Sequence, residues 1–282
     1  MDHLNVALLG DKEIGKDIAK KGTASDFTLY NLKASGKVVS FFEPTLYPEK
    51  LQPLLYCANA ADFVVLVVNE PDRFFGEAVV ALDLLGKRSG LVALGGGADE
   101  QAVRALLKGT SLEGYEFMEK DANLIREKVL GVAAEKREGA TKIPIDHAFA
   151  VKSVGAVVLG LVTRGGVRKH QELELYPSGK KVSAKSLQVQ DEDVEAAECG
   201  SRVGVAIKGA EVEELERGYV LAEPGSLRSG KEMRAKVRAS RFSGGISPGQ
   251  YFLSIGMQYV PVTVSAQVAA GAEGEAVIKA ER

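Results

Sequence analysis

The first 132 residues alternate short apolar runs with stretches of helical composition. Val6–Leu9 is a strand-sized apolar run; a glycine-bearing loop follows, and a helix can start in IGKDIAKKG, from Ile14. Lys37–Glu43 reads as a second strand and Leu51–Ala61 as a helix. DFVVLVVN (Asp62–Asn69) is apolar through its middle, as expected of a strand buried on both faces of a parallel sheet. A helix is expected over Phe75–Lys87, another buried strand over Gly90–Gly97, and helices over Gln101–Leu107 and Ala122–Val132. Strand–helix alternation predicts a doubly wound α/β domain over residues 1–138.

The charged, apolar-poor stretch Lys136–Thr141 reads as a linker, and after it the period changes. AFAVKSVGAVVLGLVTRGGV holds a strand, a glycine turn and a second strand. ELELYPSGKKVSAKSLQVQ alternates and turns at PSGK, and RVGVAIKG sets Val203, Val205 and Ile207 on one face. Short strands with frequent turns predict a β-barrel over 142–225. A second punctuated stretch, Glu223–Lys231, precedes a short third β domain over 230–282.

Composition narrows the function classes. A net charge of −2 exerts no global pull toward nucleic acid or membrane. No apolar run is long enough to span a bilayer, so no membrane partner is expected. Two distant cysteines, Cys57 and Cys199, argue against a disulfide framework and for a reducing cytoplasm. Basic residues outnumber acidic ones two to one over 226–282, which biases any polyanion contact toward the tail.

The middle segment carries a resemblance. IDHAFAVKSVGAVVLGLVTRGGVRK, YPSGKKVSAKSLQ, CGSRVGVAIKG and ERGYVLAE follow one another with the spacing of the second domain of the translational GTPases. They are most similar to that of SelB, the selenocysteine-specific elongation factor, with elongation factor Tu close behind. The resemblance implies a phosphate-loop G domain, an elongation-factor-Tu-like barrel and a third β-barrel-like domain.

On that frame GDKEIGKD, Gly10–Asp17, lies at the Walker A loop. There backbone N–H groups cradle phosphates, a lysine reaches the β and γ phosphates and a hydroxyl holds Mg2+. Gly10, Asp11, Lys12, Gly15 and Lys16 are the expected nucleotide contacts, but Asp17 replaces the hydroxyl residue. A carboxylate can ligate Mg2+. Unbridged, it would repel a phosphate oxygen by about 4 kcal/mol at roughly 4 Å and an effective dielectric near 20. Glu43, Pro44, Thr45, Leu46 and Tyr47 fall over D-T-P-G-H. Glu43 becomes the second Mg2+ candidate, and Tyr47 replaces the histidine that positions the attacking water. Only 26 residues separate Lys16 from Glu43, short for an effector loop, with Thr23 and Thr28 in the interval. Asp99, ending Gly96-Gly97-Ala98-Asp99, keeps one contact to a guanine base; otherwise it is a helix cap. The resemblance therefore implies GTP or GDP and Mg2+ as ligands, with weak or absent hydrolysis.

In the barrel, the resemblance places Asp146, His147 and Phe149 where the family binds the aminoacyl end of tRNA. Gln190 and Asp191 fall over a histidine–arginine pair. The bland alternatives are a turn-capping Asp146, a surface His147 and a core Phe149. In the tail, Arg234, Lys236 and Arg238 share one face of a strand, opposite Met233, Ala235, Val237 and Ala239, as an RNA-backbone contact requires. The expected function is a translation elongation factor-like binding protein for aminoacyl-tRNA or another charged RNA end, with the ribosome as a further partner and no DNA. An unusual but active translational GTPase and a nucleotide-free interaction module remain the alternatives.

Overall fold

The computed structural model describes residues 2–10, 12 and 14–281 and divides the chain into two compact units, Met1–Lys136 and Arg137–Arg282. Asp11, one of the expected loop contacts, lies outside the described residues.

In the first unit β1 (Asp2–Gly10) leads to a one-turn α1 (Ile14–Ile18), then β2 (Lys20–Ala24), β3 (Thr28–Ala34) and β4 (Lys37–Glu43). There follow α2 (Gln52–Ala60), β5 (Phe63–Val68), α3 (Arg73–Leu84), β6 (Gly90–Leu94), α4 (Glu100–Leu107), β7 (Glu116–Glu119) and α5 (Ala122–Gly131). The strands form one sheet, ordered β2-β3-β4-β1-β5-β6-β7. It is parallel from β4 to β7, with β3 and β2 added antiparallel at one edge. The central strands are apolar on both sides because helices cover both faces. Ile14 and Ile18 of α1 and Ile125 and Val129 of α5 join one core cluster with Leu4, Val6, Leu8, Tyr30 and Phe41. The other face, outside that cluster, packs on α2 and α3.

The second unit opens with β8 (Lys142–Val151), β9 (Gly155–Leu161), β10 (Gly166–Arg168), β11 (Glu172–Tyr176) and β12 (Lys180–Val189). It continues with β13 (Glu192–Val194), β14 (Ala196–Glu198), β15 (Arg202–Lys208) and β16 (Val220–Ala222). The order β11-β16-β8-β9-β15-β12-β13 is closed by the β11–β12 pairing, so six strands form a barrel and β13 rides on β12. Its core is aliphatic: Ile143, Ile145, Val158, Leu173, Leu175, Val203, Val205 and Leu221 are among the residues buried in it. The same unit holds a second, four-stranded sheet of β17 (Glu232–Arg238), β18 (Gly249–Ile255), β19 (Gln258–Ser265) and β20 (Glu273–Ala280), ordered β17-β20-β19-β18. The fold is thus a mixed α/β unit followed by β-barrel modules.

Among the described residues no helix is long and apolar enough to cross a membrane.

Candidate functional site

The two glycines of the phosphate-loop pattern have structural employment of their own. Gly10 ends β1 at φ +95, and a Cβ there would sit 2.0 Å from the Val67 carbonyl oxygen. Only glycine lets β1 end so close to β5. A Cβ on Gly15 would lie 2.5 to 2.9 Å from three atoms of the Tyr30 ring. Tyr30 is 6% exposed, and its hydroxyl donates to Glu43 Oε2 at 2.8 Å. The Tyr30 side chain therefore bridges the start of α1 and the carboxylate that ends β4. In the family scheme that space joins the loop to a magnesium ion. Lys16 and Asp17 are exposed. Among the described residues no three His, Cys, Asp or Glu side chains converge as metal ligands. Glu43, one of the two expected magnesium ligands, accepts from the Tyr30 hydroxyl, while Asp17, the other, is exposed on α1.

The helix behind the loop is also short. Arg126 of α5 ends it by donating from Nε to the Ile18 carbonyl at 2.6 Å and from Nη2 to the Asp17 carbonyl. A guanidinium on the last carbonyls satisfies groups a longer helix would pair internally. The chain then enters β2, and the interval between Lys16 and Glu43, where the resemblance implies an effector loop, is spent on β2, β3 and β4. Thr23 is exposed on edge strand β2; Thr28 is buried, its hydroxyl 2.6 Å from that of Thr45. Lys12 Nζ donates to the Thr45 carbonyl at 3.1 Å. Tyr47, expected from the resemblance to lie over the family's histidine, is buried, and its hydroxyl donates to Glu77 Oε2 at 2.7 Å and to the Phe74 carbonyl at 3.1 Å. Burial, then the Glu77 hydrogen bond and charge, push its phenol well above the usual range.

At the ends of β5, β6 and β7 lies an open cleft of 480 Å3 lined by Asn69, Gly95, Gly96, Gly97, Glu119 and Lys120, among others. Lys120 Nζ donates to Asn69 Oδ1 at 3.1 Å. Asp99 caps α4: its Oδ1 accepts from the N–H of Gln101 at 2.8 Å and of Ala102 at 3.4 Å.

The barrel site is built around a bulge. The β8–β9 register shifts between Ile145 and His147, which makes Asp146 the extra residue. Asp146 is 3% exposed and paired with Arg202 of β15, from Nε at 3.1 Å and from Nη2 at 3.4 Å. Burial alone would raise its carboxyl. The Arg202 charge and the hydrogen bonds from His147 and Arg202 outweigh that and hold it below the ordinary carboxylate range. His147 Nδ1 faces Asp146 Oδ1 at 3.4 Å, and Arg217 Nη2 lies 3.5 Å from His147 Nε2. Arg217 can only donate, so in a hydrogen bond between them His147 Nε2 is the acceptor. Arg217 Nε also donates to the Asp146 carbonyl at 2.9 Å. Two residues on, Phe149 is 42% exposed on the same strand face as His147, not in the core. Gln190 lies in the two-residue turn between β12 and β13, with Asp191; both have positive φ, 53° and 64°. Such a turn matches the right-handed twist of its strands. Arg234, Lys236 and Arg238 are all exposed on β17, with Ala235 and Val237 against the core. Met233 is 40% exposed despite its place on the inner face.

The structure thus brings Asp146 and His147 together with two arginines that sequence reasoning missed, Arg202 and Arg217. It also assigns Tyr30 and Arg126 to the loop region. Arg217 stands in the quoted segment ERGYVLAE and Arg202 in CGSRVGVAIKG, but nothing in the letters said that both converge on one β8 carboxylate.

Residues 155–222 match the family Elongation factor Tu domain 2. The chain is 38% identical over 268 residues to an uncharacterized protein, MJ0325, of Methanocaldococcus jannaschii; the match covers 94% of this chain and 87% of that one. It is 27% identical over 280 residues to the selenocysteine-specific elongation factor of the same organism, covering 88% of this chain and 59% of the factor. The crystal structure of SelB from Methanococcus maripaludis with the GTP analogue GppNHp superposes on the whole chain. The TM-score is 0.80 at 20% identity, covering 72% of that chain.

The chain belongs to the SelB-like relatives of the translational GTPases, in one family with MJ0325.

Within that superfamily the part of the chain matched by a family, residues 155–222, lies in the barrel, the domain that carries the Asp146–His147–Arg202–Arg217 network. The apo form of the same SelB superposes equally well, with a TM-score of 0.81. The chain spans little more than half the length of the Methanocaldococcus selenocysteine-specific factor that it matches.

Proposed function

We propose that this SelB-like chain binds an aminoacyl-tRNA, or another charged RNA end, on its barrel in the cytoplasm, and that its α/β unit does not turn over GTP. The observation that carries the reading is the open face of β8. A half-exposed imidazole is held there between Asp146 and Arg217, with an exposed phenylalanine two residues away. A fixed donor–acceptor group beside an aromatic surface can orient a small polar group and exclude water from one side of it. Asp146, already neutralised by Arg202, acts by holding His147 rather than by meeting an ammonium group itself. Gln190 and the basic residues of β17 would contact more distant parts of the same RNA, and the ribosome is the natural further partner of such a complex.

Tyr47 and Tyr30 support the absence of turnover. A buried phenol donating to Glu77 is turned away from the task of orienting a water. Tyr30 fills the path from Gly15 to Glu43. A second reading keeps guanine nucleotide as a weakly held ligand. It is favoured by the open polar cleft at Asn69, Gly95–Gly97 and Lys120, which lies beyond the carboxyl ends of parallel strands, where α/β sheets take ligands. Calorimetry with GTP and GDP, with Mg2+ and then with EDTA, separates the two. Heat insensitive to EDTA supports weak, metal-independent binding; no heat leaves a nucleotide-free module. For the leading reading, His147→Ala should weaken binding of aminoacyl-tRNA more than of deacylated tRNA. Equal losses on both would sink it.

A further inference from the structure

The outward face of the second sheet carries, beside the basic residues of β17, an aromatic pair that the charged-end reading does not use. Following the pairing registers from β18 through β19 and β20 to β17 puts Phe252, Pro261, Tyr259, Thr263, Lys279, Arg234, Lys236 and Arg238 on one face. The core residues Val262, Val264, Ala276 and Ile278 point the other way. On this outward face Phe252 is 63% exposed, the most exposed large apolar side chain among the described residues. Its ring stacks on Tyr259, with centroids 4.9 Å apart and planes inclined by 11°. One flank of the Phe252 ring is thus supported and the other is open to solvent. A phenylalanine braced in this way presents a rigid flat surface at little further entropic cost.

The opposite edge of the same face is the basic row. Acidic residues lie across from part of it: Glu275 pairs in register with Lys236 and Glu273 with Arg238, while Arg234 stands opposite Val277. The one ion pair of this face among the described residues is Lys279–Glu232, at 2.9 Å. Arg234, Lys236 and Arg238 are exposed. From Phe252 on β18 to Arg234 on β17 is three strand spacings across the sheet and four residues along it, roughly 20 Å, with Lys236 and Arg238 further along the strand. A flat aromatic surface and a cationic row separated by that span, on a sheet face with hydroxyl and amide groups between, match the base and backbone of a nucleic-acid single strand.

We propose that this face is a single-stranded RNA platform: an unpaired base stacks on Phe252, braced by Tyr259, while Arg234 with Lys236 and Arg238 takes phosphates of the same strand. A duplex cannot use the aromatic half, because its bases are already stacked on one another. The proposal rests on the RNA-binding part of the reading above but not on recognition of a charged end, so the probe carries no amino acid.

The chain has no tryptophan, which gives a direct probe. Phe252→Trp keeps a stacking surface and introduces a single indole at the platform. The full-length variant is titrated with an unstructured oligouridylate of twelve nucleotides and with a blunt twelve-base-pair RNA duplex. The expected results are quenching of the indole by the single strand, and at least tenfold tighter binding of the strand than of the duplex. Phe252→Ala, measured by anisotropy of a labelled strand, should lose about tenfold or more. Arg234→Gln should flatten the salt dependence of strand binding by about 0.7 in log–log slope. The side chain of Phe252 is mostly in solvent, so its variants fold; circular dichroism checks this. Equal affinity for duplex and strand, an unaltered affinity of Phe252→Ala, or no RNA binding at all overturns the proposal. So does an indole blue-shifted in the RNA-free protein with a doubled molecular mass, which would make the face a protein contact. Loss of aminoacyl-tRNA discrimination with strand binding intact would sink the charged-end reading and leave the platform standing.

Discussion

Replacing Gly15 by alanine distinguishes a phosphate loop from a packed turn. Gly15 lies in α1 and is not among the glycines with positive φ. On backbone grounds alone, Gly15→Ala should stabilise by about 0.4–1 kcal/mol, because alanine has fewer unfolded conformations to lose. The new methyl group would, however, arrive 2.5, 2.8 and 2.9 Å from the Tyr30 ring atoms Cε2, Cζ and Cδ2. That ring cannot swing away easily: it is buried, and its hydroxyl is held on Glu43 at 2.8 Å. Overpacking of this kind costs about 1–3 kcal/mol. The net expectation is a loss of about 1–2 kcal/mol, or roughly 3–8 °C in the melting temperature of the α/β unit. The assay is thermal and urea denaturation of the full chain followed by circular dichroism. In a Tyr30→Leu background, where the ring is gone, the added methyl should cost less than it does alone, and the difference is the coupling between the two sites. An unchanged or raised melting temperature for Gly15→Ala would refute the packing account and return the glycine to phosphate binding.

Two further expectations concern the remaining networks. Asp146→Asn leaves the partly buried Arg202 without its charge partner and should cost about 2–4 kcal/mol at pH 7, toward the low end for a pair with one partly exposed member. Because the Asp146 carboxyl is lowered in the folded protein, its contribution is present above the unfolded value of about 3.8 and is lost as pH falls through the folded one. The gap between variant and parent in urea midpoints should therefore close below about pH 4; a gap independent of pH would contradict the ion-pair account. Tyr47→His introduces the histidine that the resemblance implies but not its setting, since the site is buried against α3. It should destabilise the unit without producing GTP turnover, and measured turnover in that variant would show that the switch geometry is intact after all.

Much of the architecture was legible in the letters. The apolar runs at Phe63–Val68 and Gly90–Leu94 and the helices α2 to α5 follow from period and length, because burial on both faces or on one stripe leaves a regular trace. The strands β2 and β7 did not show. Lys20–Ala24 is exposed throughout and Glu116–Glu119 is short and half polar, so neither carries a burial pattern. Thr28–Ala34 was also missed: it is buried near its start and loses any clean alternation. The sequence marks where the helix after the loop starts but not where it ends; Arg126, on the Asp17 and Ile18 carbonyls, stops it after one turn. The basic strand β17 was legible because charged and apolar residues alternate there. The networks were not. The pairing of Asp146 with Arg202 depends on a bulge and on the β8–β9–β15 register, and the contact of Tyr30 with Gly15 depends on a sheet edge that had not been predicted.

The most direct test is a comparison of equilibrium binding of aminoacyl-tRNA and deacylated tRNA to the full chain, repeated with no nucleotide, with GTP and Mg2+, and with GDP and Mg2+, while released phosphate is measured. Tighter binding of the aminoacylated form, the same with and without nucleotide, and no phosphate release is the predicted result. Equal binding of the two tRNAs, or discrimination that appears only with GTP and is accompanied by steady phosphate release, would contradict the account.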